Sequence, residues 1–523
     1  MILRGNSNFL RTLLLLLIIS IFCMGAITIL ASEPKYGGVL RVATRSAPLG
    51  LDSAVTGSIA TREVACHVYE NLLSFDSSFA VQPMLAESWD ISEDGTVYTF
   101  YLREGVPFHN GKILKAEDVK ASLEWFRERG VNKHFIEDVN EINILDDYTI
   151  ELKLNQPSGT LLPFLGNTTT YYAITPLEVV EKAKETGEFE VVGTGPYYLD
   201  EWITDRYVRL KRFEDYQPLE GIETSAWSGP KKAYLDEILL IPVPEGGSRV
   251  AGIEAGDYDF ADAIPTTEVP RLKENDKIVV VEQMPNCWPV IYINQSEHSI
   301  FNDLKLRQAV QAGLDHNEIM LASSEGSGRL DPGMFFIEQA TWHSDIAGEL
   351  YNQNDPEKAK RLMEEAGYNG EEITVLTNTN YDYMYKASIV VERQLSNLGF
   401  NVNLVVTDWP TQNDIKKDLS KWHLSFSSHS PRWDPVVNDS YFREYSFMGV
   451  DNPELIEALD KGKFSTNYED RYEAYEDVQR ILYEQVHWIK LYDLGVYQAR
   501  RENVKGYESL PYAVYFVNTW LDK

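Results

Sequence analysis

Apolar and polar positions along this chain switch repeatedly between a period of two and a period near 3.6, the pattern of strands interleaved with helices. Trp89 and Ile91 alternate into Ser92-Glu93-Asp94-Gly95, where Asp-Gly supplies the positive φ of a tight hairpin turn. Val97, Thr99 and Tyr101 then alternate with Tyr98, Phe100 and Leu102 as a returning strand. Phe108-His109-Asn110-Gly111 is a second turn. Lys115-Ala116-Glu117-Asp118 opens a helix with Val119, Leu123 and Phe126 on its apolar face and acids in its first turn. A second hairpin is predicted over residues 142–154, turning at Asp146-Asp147, and a helix over 176–186.

Elsewhere the same reading predicts a glycine-led strand at 37–43, a helix at 61–72, and strands at 207–213 and 237–243. The glycines of Val192-Gly193-Thr194-Gly195-Pro196-Tyr197 permit sharp geometry where a helix gives way to a strand. Ile278-Val279-Val280-Val281 is a buried strand by composition. Residues 291–294 form a strand before a helix carrying Leu304, Val310 and Leu314, and Asp355-Pro356 starts a helix that ends at Gly367-Tyr368. A strand at 422–426, a long amphipathic helix at 468–488 and a strand at 489–496 complete the outline.

The first 31 residues read as an export signal. Arg4 and Arg11 are their only charges, the run 13–30 is almost wholly apolar, and Ala31-Ser32 offers a cleavage point. Retention of that run as a membrane anchor is the alternative. A chain of 523 residues exceeds one compact core, so two or three lobes are expected. The net charge of −32 repels phosphate backbones and argues against a nucleic-acid partner. The charge is spread rather than clustered, as on a solvated surface, with attraction of cationic ligands the other reading. After removal of the signal only Cys66 and Cys287 remain, expected as two buried free thiols rather than a disulfide framework.

Residues 83–125, PMLAESWDISEDGTVYTFYLREGVPFHNGKILKAEDVKASLEW, resemble the signature segment of the family 5 extracellular solute-binding proteins, the peptide- and nickel-type receptors of ABC importers. Further motifs are similar in the same order: the opening strand with Tyr69-Glu70-Asn71-Leu72-Leu73, residues 252–260 (GIEAGDYDF), a strand ending in Asn294 before Arg307-Gln308-Ala309, and the capped helix from Asp355. The resemblance implies an α/β, two-lobed periplasmic-binding-protein fold of class II, large cluster C type, with hinge strands near 278–282 and 489–496. Residues 32–80, 193–283 and 491–523 would build the first lobe, 81–192 a subdomain inserted in it, and 284–490 the second lobe. It also implies a monomeric, periplasmic or otherwise extracytoplasmic receptor. Such a receptor captures a peptide by lobe closure, delivers it to the permease subunits and needs no cofactor.

Motifs of catalysis are sparse, as a binding protein requires. There is no G-x-x-x-x-G-K-[ST], G-x-S-x-G or H-E-x-x-H, and no histidine pair at i, i+4 to suggest a metal. Ser228-Gly229-Pro230-Lys231 fits S-x-x-K formally, the one handle for a serine-lysine hydrolase, but Gly-Pro is poor material for the helical turn it needs. The positive signal is aromatic: 30 Tyr, 21 Phe and 11 Trp, most of them required by the core. In Ser427-Ser428-His429-Ser430-Pro431-Arg432-Trp433-Asp434-Pro435, polar groups and an aromatic plane converge after a strand, where open α/β sheets place ligands. His429, Arg432, Trp433 and Asp434 are therefore candidate ligand contacts, Asp434 with an N-cap role as its alternative. Peptide receptors of the family hold the ligand amine with an aspartate about four positions before that last proline, and here the position is Pro431. By resemblance the loop Thr44, Arg45 and Ser46 also lines the cleft, and Trp288 and Trp409 are stacking candidates. An oligosaccharide or a nickel chelate is the alternative cargo.

Overall fold

A computed structural model describes residues 33–169, 171–443 and 446–523; the expected export signal at 1–31 lies outside the described residues. One sheet runs through both lobes. Its spine is the 16-residue strand Ile278–Ile293. The first half of that strand pairs antiparallel with Asp493–Arg501, and the second half pairs with Leu424–His429 and Trp488–Lys490. The register shifts between Gln283 and Cys287, where Met284–Pro285 is cis. To one side the sheet continues through Phe260–Ile264, Val39–Thr44, Glu237–Pro242, Tyr207–Arg212 and Tyr197–Ile203. To the other it continues through Leu424–His429, Glu372–Asn378 and Asn401–Thr407. Two connected strands thus hold two α/β lobes, the arrangement expected of a hinged receptor.

Period two decides how the spine is buried in the second lobe. Cys287, Ile291 and Ile293 point into one apolar cluster with Val310, Val391 and Leu395. Trp288, Val290 and Tyr292 point to the opposite face, against Trp422, Leu482 and Trp488. Both faces are covered, so the strand reads as a continuous apolar run rather than an alternation.

A separate four-stranded sheet, ordered Ala86–Ile91, Val97–Leu102, Thr149–Leu154, Val139–Asp146, is inserted in the first lobe. Its first hairpin turns as the sequence requires, with Gly95 at φ 69° and Asp94 Oδ1 accepting from the Thr96 backbone N–H at 3.1 Å. The helix Ala116–Arg129 begins with Asp118 reaching back to the Lys115 N–H at 3.0 Å. The other oxygen of this buried carboxylate accepts from Leu177 N–H and Lys112 Nζ, which fixes the following helix, Leu177–Thr186, beside it.

Two helix ends differ from the sequence reading. The helix expected to reach residue 72 is Ile59–Val68, because the Val68 carbonyl accepts from Gly195 N–H at 2.9 Å instead of continuing the helix. Gly193 lies so close that a Cβ there would meet the Val68 carbonyl oxygen at 2.1 Å. The long helix stops at Gln485, with Val486 at φ 50°, and Trp488 belongs to a strand. Caps readable in the sequence are present: Asp355 accepts from Lys358 N–H, and Gly367 adopts φ 74°. Among the described residues no helix is long and apolar enough to cross a membrane.

Candidate functional site

A cavity of about 70 Å³ lies where the two lobes meet the spine. Arg45 enters it just after the first-lobe strand Val39–Thr44, Asp262 from the strand Phe260–Ile264, and Arg62 from the helix Ile59–Val68. Gln283, Asn286 and Gln498 come from the connecting strands; Ser430 and Pro431 follow the second-lobe strand Leu424–His429. The cavity is therefore walled by both lobes and floored by the strands that join them, at the carboxyl end of Val39–Thr44.

Its floor is a polar network. Arg45 Nε lies 2.6 Å from Asp262 Oδ2, and this carboxylate holds the guanidinium above its ordinary pKa. Asp262 Oδ1 accepts from Gln498 Nε2 at 3.2 Å, and Gln498 Oε1 accepts from Tyr507 at 2.7 Å. Beneath them Glu63 is buried, and burial with the neighbouring Asp262 charge pushes its carboxyl well above the ordinary carboxylate range. Arg62 donates to the carbonyls of Thr169, Tyr512 and Gly57. The one carboxylate in the wall is thus already neutralised, and amide and guanidinium donors face the space.

Of the residues singled out in the sequence, Arg45 is in this wall, and the segment ending in Arg432 borders it through Ser430 and Pro431. Arg432 is half-buried and its carbonyl accepts from Gln339 Nε2 at 2.6 Å. The others are placed differently. Thr44 is buried, its hydroxyl bonded to the Ser46 and Ile241 carbonyls, and Ser46 is exposed on the first lobe. Trp288 is core: its ring stacks on His429 at 4.3 Å between centroids and meets Trp488 edge-on. His429 is buried and bonded through Nε2 to Tyr292 Oη at 2.9 Å, with burial holding it neutral. Trp409 stands at the start of the helix Trp409–Lys416, half-buried against Tyr381 and Lys416, beyond the edge strand Asn401–Thr407.

Trp433 and Asp434 are the main corrections. Trp433 is 2% exposed and inserts from the second lobe between Phe135 and Phe164 of the inserted subdomain, at 4.9 and 6.0 Å. Asp434 is fully buried and takes both its oxygens to Arg471 Nη2, at 2.9 and 2.7 Å. It also caps the turn at Pro435 by accepting from Val436 N–H. The segment carries an aromatic and an acid at a strand end as read, but Trp433 fastens the lobes, Asp434 pairs within the second lobe, and neither lines the cavity. Asp262 and Gln498 were missed in the sequence reading; Asp262 was signalled as the single polar residue of an apolar strand.

Ser228 and Lys231 do not meet as an S-x-x-K pair: Ser228 Oγ donates to the Ser225 carbonyl, while Lys231 Nζ faces Glu70 at 3.4 Å. Cys66 and Cys287 are both free and buried, and burial pushes the Cys287 thiol up to about 12.

Two lobes on a shared pair of strands with a polar cavity at the junction define a solute-binding receptor. A model of the family described as bacterial extracellular solute-binding proteins, family 5 Middle, matches residues 80–447, and the chain belongs to that family, the solute-binding components of ABC importers. It is similar to heme-binding protein A of Haemophilus influenzae, 26% identical over 508 residues that cover 90% of this chain and 89% of that protein. It is also similar to the oligopeptide-binding protein AppA of Bacillus subtilis, 25% identical over 530 residues, covering 94% and 92%. Among solved structures, CtaP from Listeria monocytogenes superposes with a TM-score of 0.80 at 20% identity, covering 94% of this chain and 100% of that one. DppA from Helicobacter pylori in complex with peptide STSA gives 0.72 at 23% identity, covering 94% and 99%. These structures share the fold.

Proposed function

We propose that this chain is an exported, extracytoplasmic receptor that captures peptides by closing its lobes and presents the closed form to the permease of an importer, breaking no bond. The observation that carries the reading is the junction cavity, whose walls come from both lobes and whose floor comes from the connecting strands. A ligand touching all three favours closure by its differential contacts with the closed state. Support for a peptide cargo comes from AppA, an oligopeptide-binding protein, and from the DppA complex. The division into a first lobe at 32–80, 193–283 and 491–523, an insert at 81–192 and a second lobe at 284–490 is part of this proposal, as is a monomer.

With Pro431 in the wall and Asp262 paired to Arg45, no free carboxylate awaits a ligand's α-amine. The cargo is therefore held through carbonyl and carboxylate acceptors facing Arg62 and Asn286. An oligosaccharide loses its aromatic support, because Trp288 and Trp433 are buried in cores.

The test is a thermal-shift screen of free and N-acetylated peptides, oligosaccharides and nickel chelates. A ligand at a hundred times its Kd stabilises by about 2.7 kcal/mol through mass action. Peptides should raise the melting temperature with or without the acetyl group. An Asn286→Ala variant, half-buried at the hinge, should bind them about tenfold more weakly with its unliganded melting temperature unchanged. A response to sugars or chelates alone would end the peptide reading.

A further inference from the structure

Beyond the junction cavity lies a second and larger space. It has a volume of about 460 Å³, within the range of small-molecule sites, whereas the junction cavity at about 70 Å³ has room only for a small polar group. Its walls again come from two bodies: Phe79, Leu162 and Pro163 from the first lobe and its insert, and Trp342, Tyr468 and Arg471 from the second lobe. The two spaces are neighbours. Phe79 lines the outer one and Tyr512 the inner one, and their rings meet edge-to-face at 6.0 Å.

The chemistry of the two compartments differs. In the outer one Tyr468 and Arg471 are engaged within the protein. Tyr468 Oη donates to the Thr341 carbonyl at 2.6 Å. Arg471 is bound to Asp434 and the Gly462 carbonyl, and its guanidinium lies 4.9 Å over the Trp342 ring. Most of the remaining wall is ring and aliphatic surface from Phe79, Val81, Leu162, Pro163 and Trp342, which rewards an apolar occupant. The floor of the inner compartment, by contrast, is made of guanidinium and amide groups.

Resting on the receptor reading above, we infer that the outer compartment is a specificity site for one large apolar group of the carried solute. The solute is then amphipathic: a hydrogen-bond acceptor group at the junction and an aromatic or branched aliphatic group between Phe79, Leu162 and Trp342. Because both lobes wall this compartment, it is complete only when they are closed, and an apolar group in it adds to the closing force.

The probe is N-phenyl-1-naphthylamine, an uncharged aromatic dye, titrated into the purified full protein while its fluorescence and energy transfer from tryptophan are followed. The expected result is saturable binding at one dye per chain. That binding should weaken at least tenfold in Leu162→Arg, which places a charge in the half-buried wall, and in Ala80→Trp, which fills the space with apolar surface. Circular dichroism and the unliganded melting temperature check that each variant is folded, and either variant alone suffices. No saturable binding, or binding unchanged in a folded variant, overturns the inference. If peptides fail the thermal-shift screen while the dye binds and responds to both variants, the compartment stands and the peptide cargo falls. If peptides bind at the junction and those with Phe or Leu side chains gain nothing over Ala in wild type, the compartment is not a specificity site.

Discussion

Replacing Trp433 with alanine separates a ligand-stacking residue from a structural fastener. The indole is 2% exposed and lies edge-on to Phe135 and near Phe164, both on the opposite side of the lobe interface. Truncating a buried tryptophan costs about 3 to 5 kcal/mol through lost transfer energy and the void left behind, a figure that includes about 0.5 to 1.5 kcal/mol for each aromatic pair. The contacts cross between lobes, so the loss falls first on the closed arrangement. About 3 kcal/mol there shifts the ratio of closed to open molecules on the order of a hundredfold. Urea unfolding of the unliganded protein, followed by far-ultraviolet circular dichroism, should show a lower midpoint. Small-angle scattering should show a larger radius of gyration. Trp433→Phe keeps a ring between Phe135 and Phe164 and should lose less. An unchanged midpoint and radius together with lost solute binding would refute the assignment and return Trp433 to the cleft.

Removing one partner of the fully buried Asp434–Arg471 pair leaves an uncompensated charge, so Asp434→Ala should destabilise by about 3 to 5 kcal/mol. The double variant Asp434→Leu with Arg471→Met should recover part of that in the same urea assay, and additive losses would show that the two groups are not coupled. His316 is buried with neither ring nitrogen partnered, and burial pushes its pKa down to about 3. The unfolded chain takes up its proton near pH 6.5 and the folded chain does not. Stability relative to a His316→Phe variant is therefore unaffected above about pH 6.5 and is lost as pH falls toward about 3, by roughly 3 kcal/mol at pH 4.5. An imidazole resonance of His316 titrating near pH 6.5 in the folded protein would contradict this.

Local geometry was written in the sequence wherever it depends on neighbours along the chain. The Asp94-Gly95 turn, the Asp118 reach to Lys115, the Asp355 and Gly367 caps and the apolar run of the spine are set by dihedral preference, by nearby hydrogen bonds and by side-chain periodicity. These local pieces, in their order, also carried the family. What the sequence left open is which surface a side chain faces once two distant segments meet. Trp433 and Asp434 read equally well as cleft or core, because nothing near them in the chain reveals Phe135, Phe164 or Arg471. Asp262 and Gln498 become a site only when Asp493–Arg501 pairs with Ile278–Ile293 on one side and with Phe260–Ile264 on the other, bringing both residues beneath Arg45. The receptor's frame was thus fixed by local chemistry spread along the chain. The ligand-facing wall was decided by tertiary packing, because burial and charge pairing are properties of the assembled lobes rather than of any one segment.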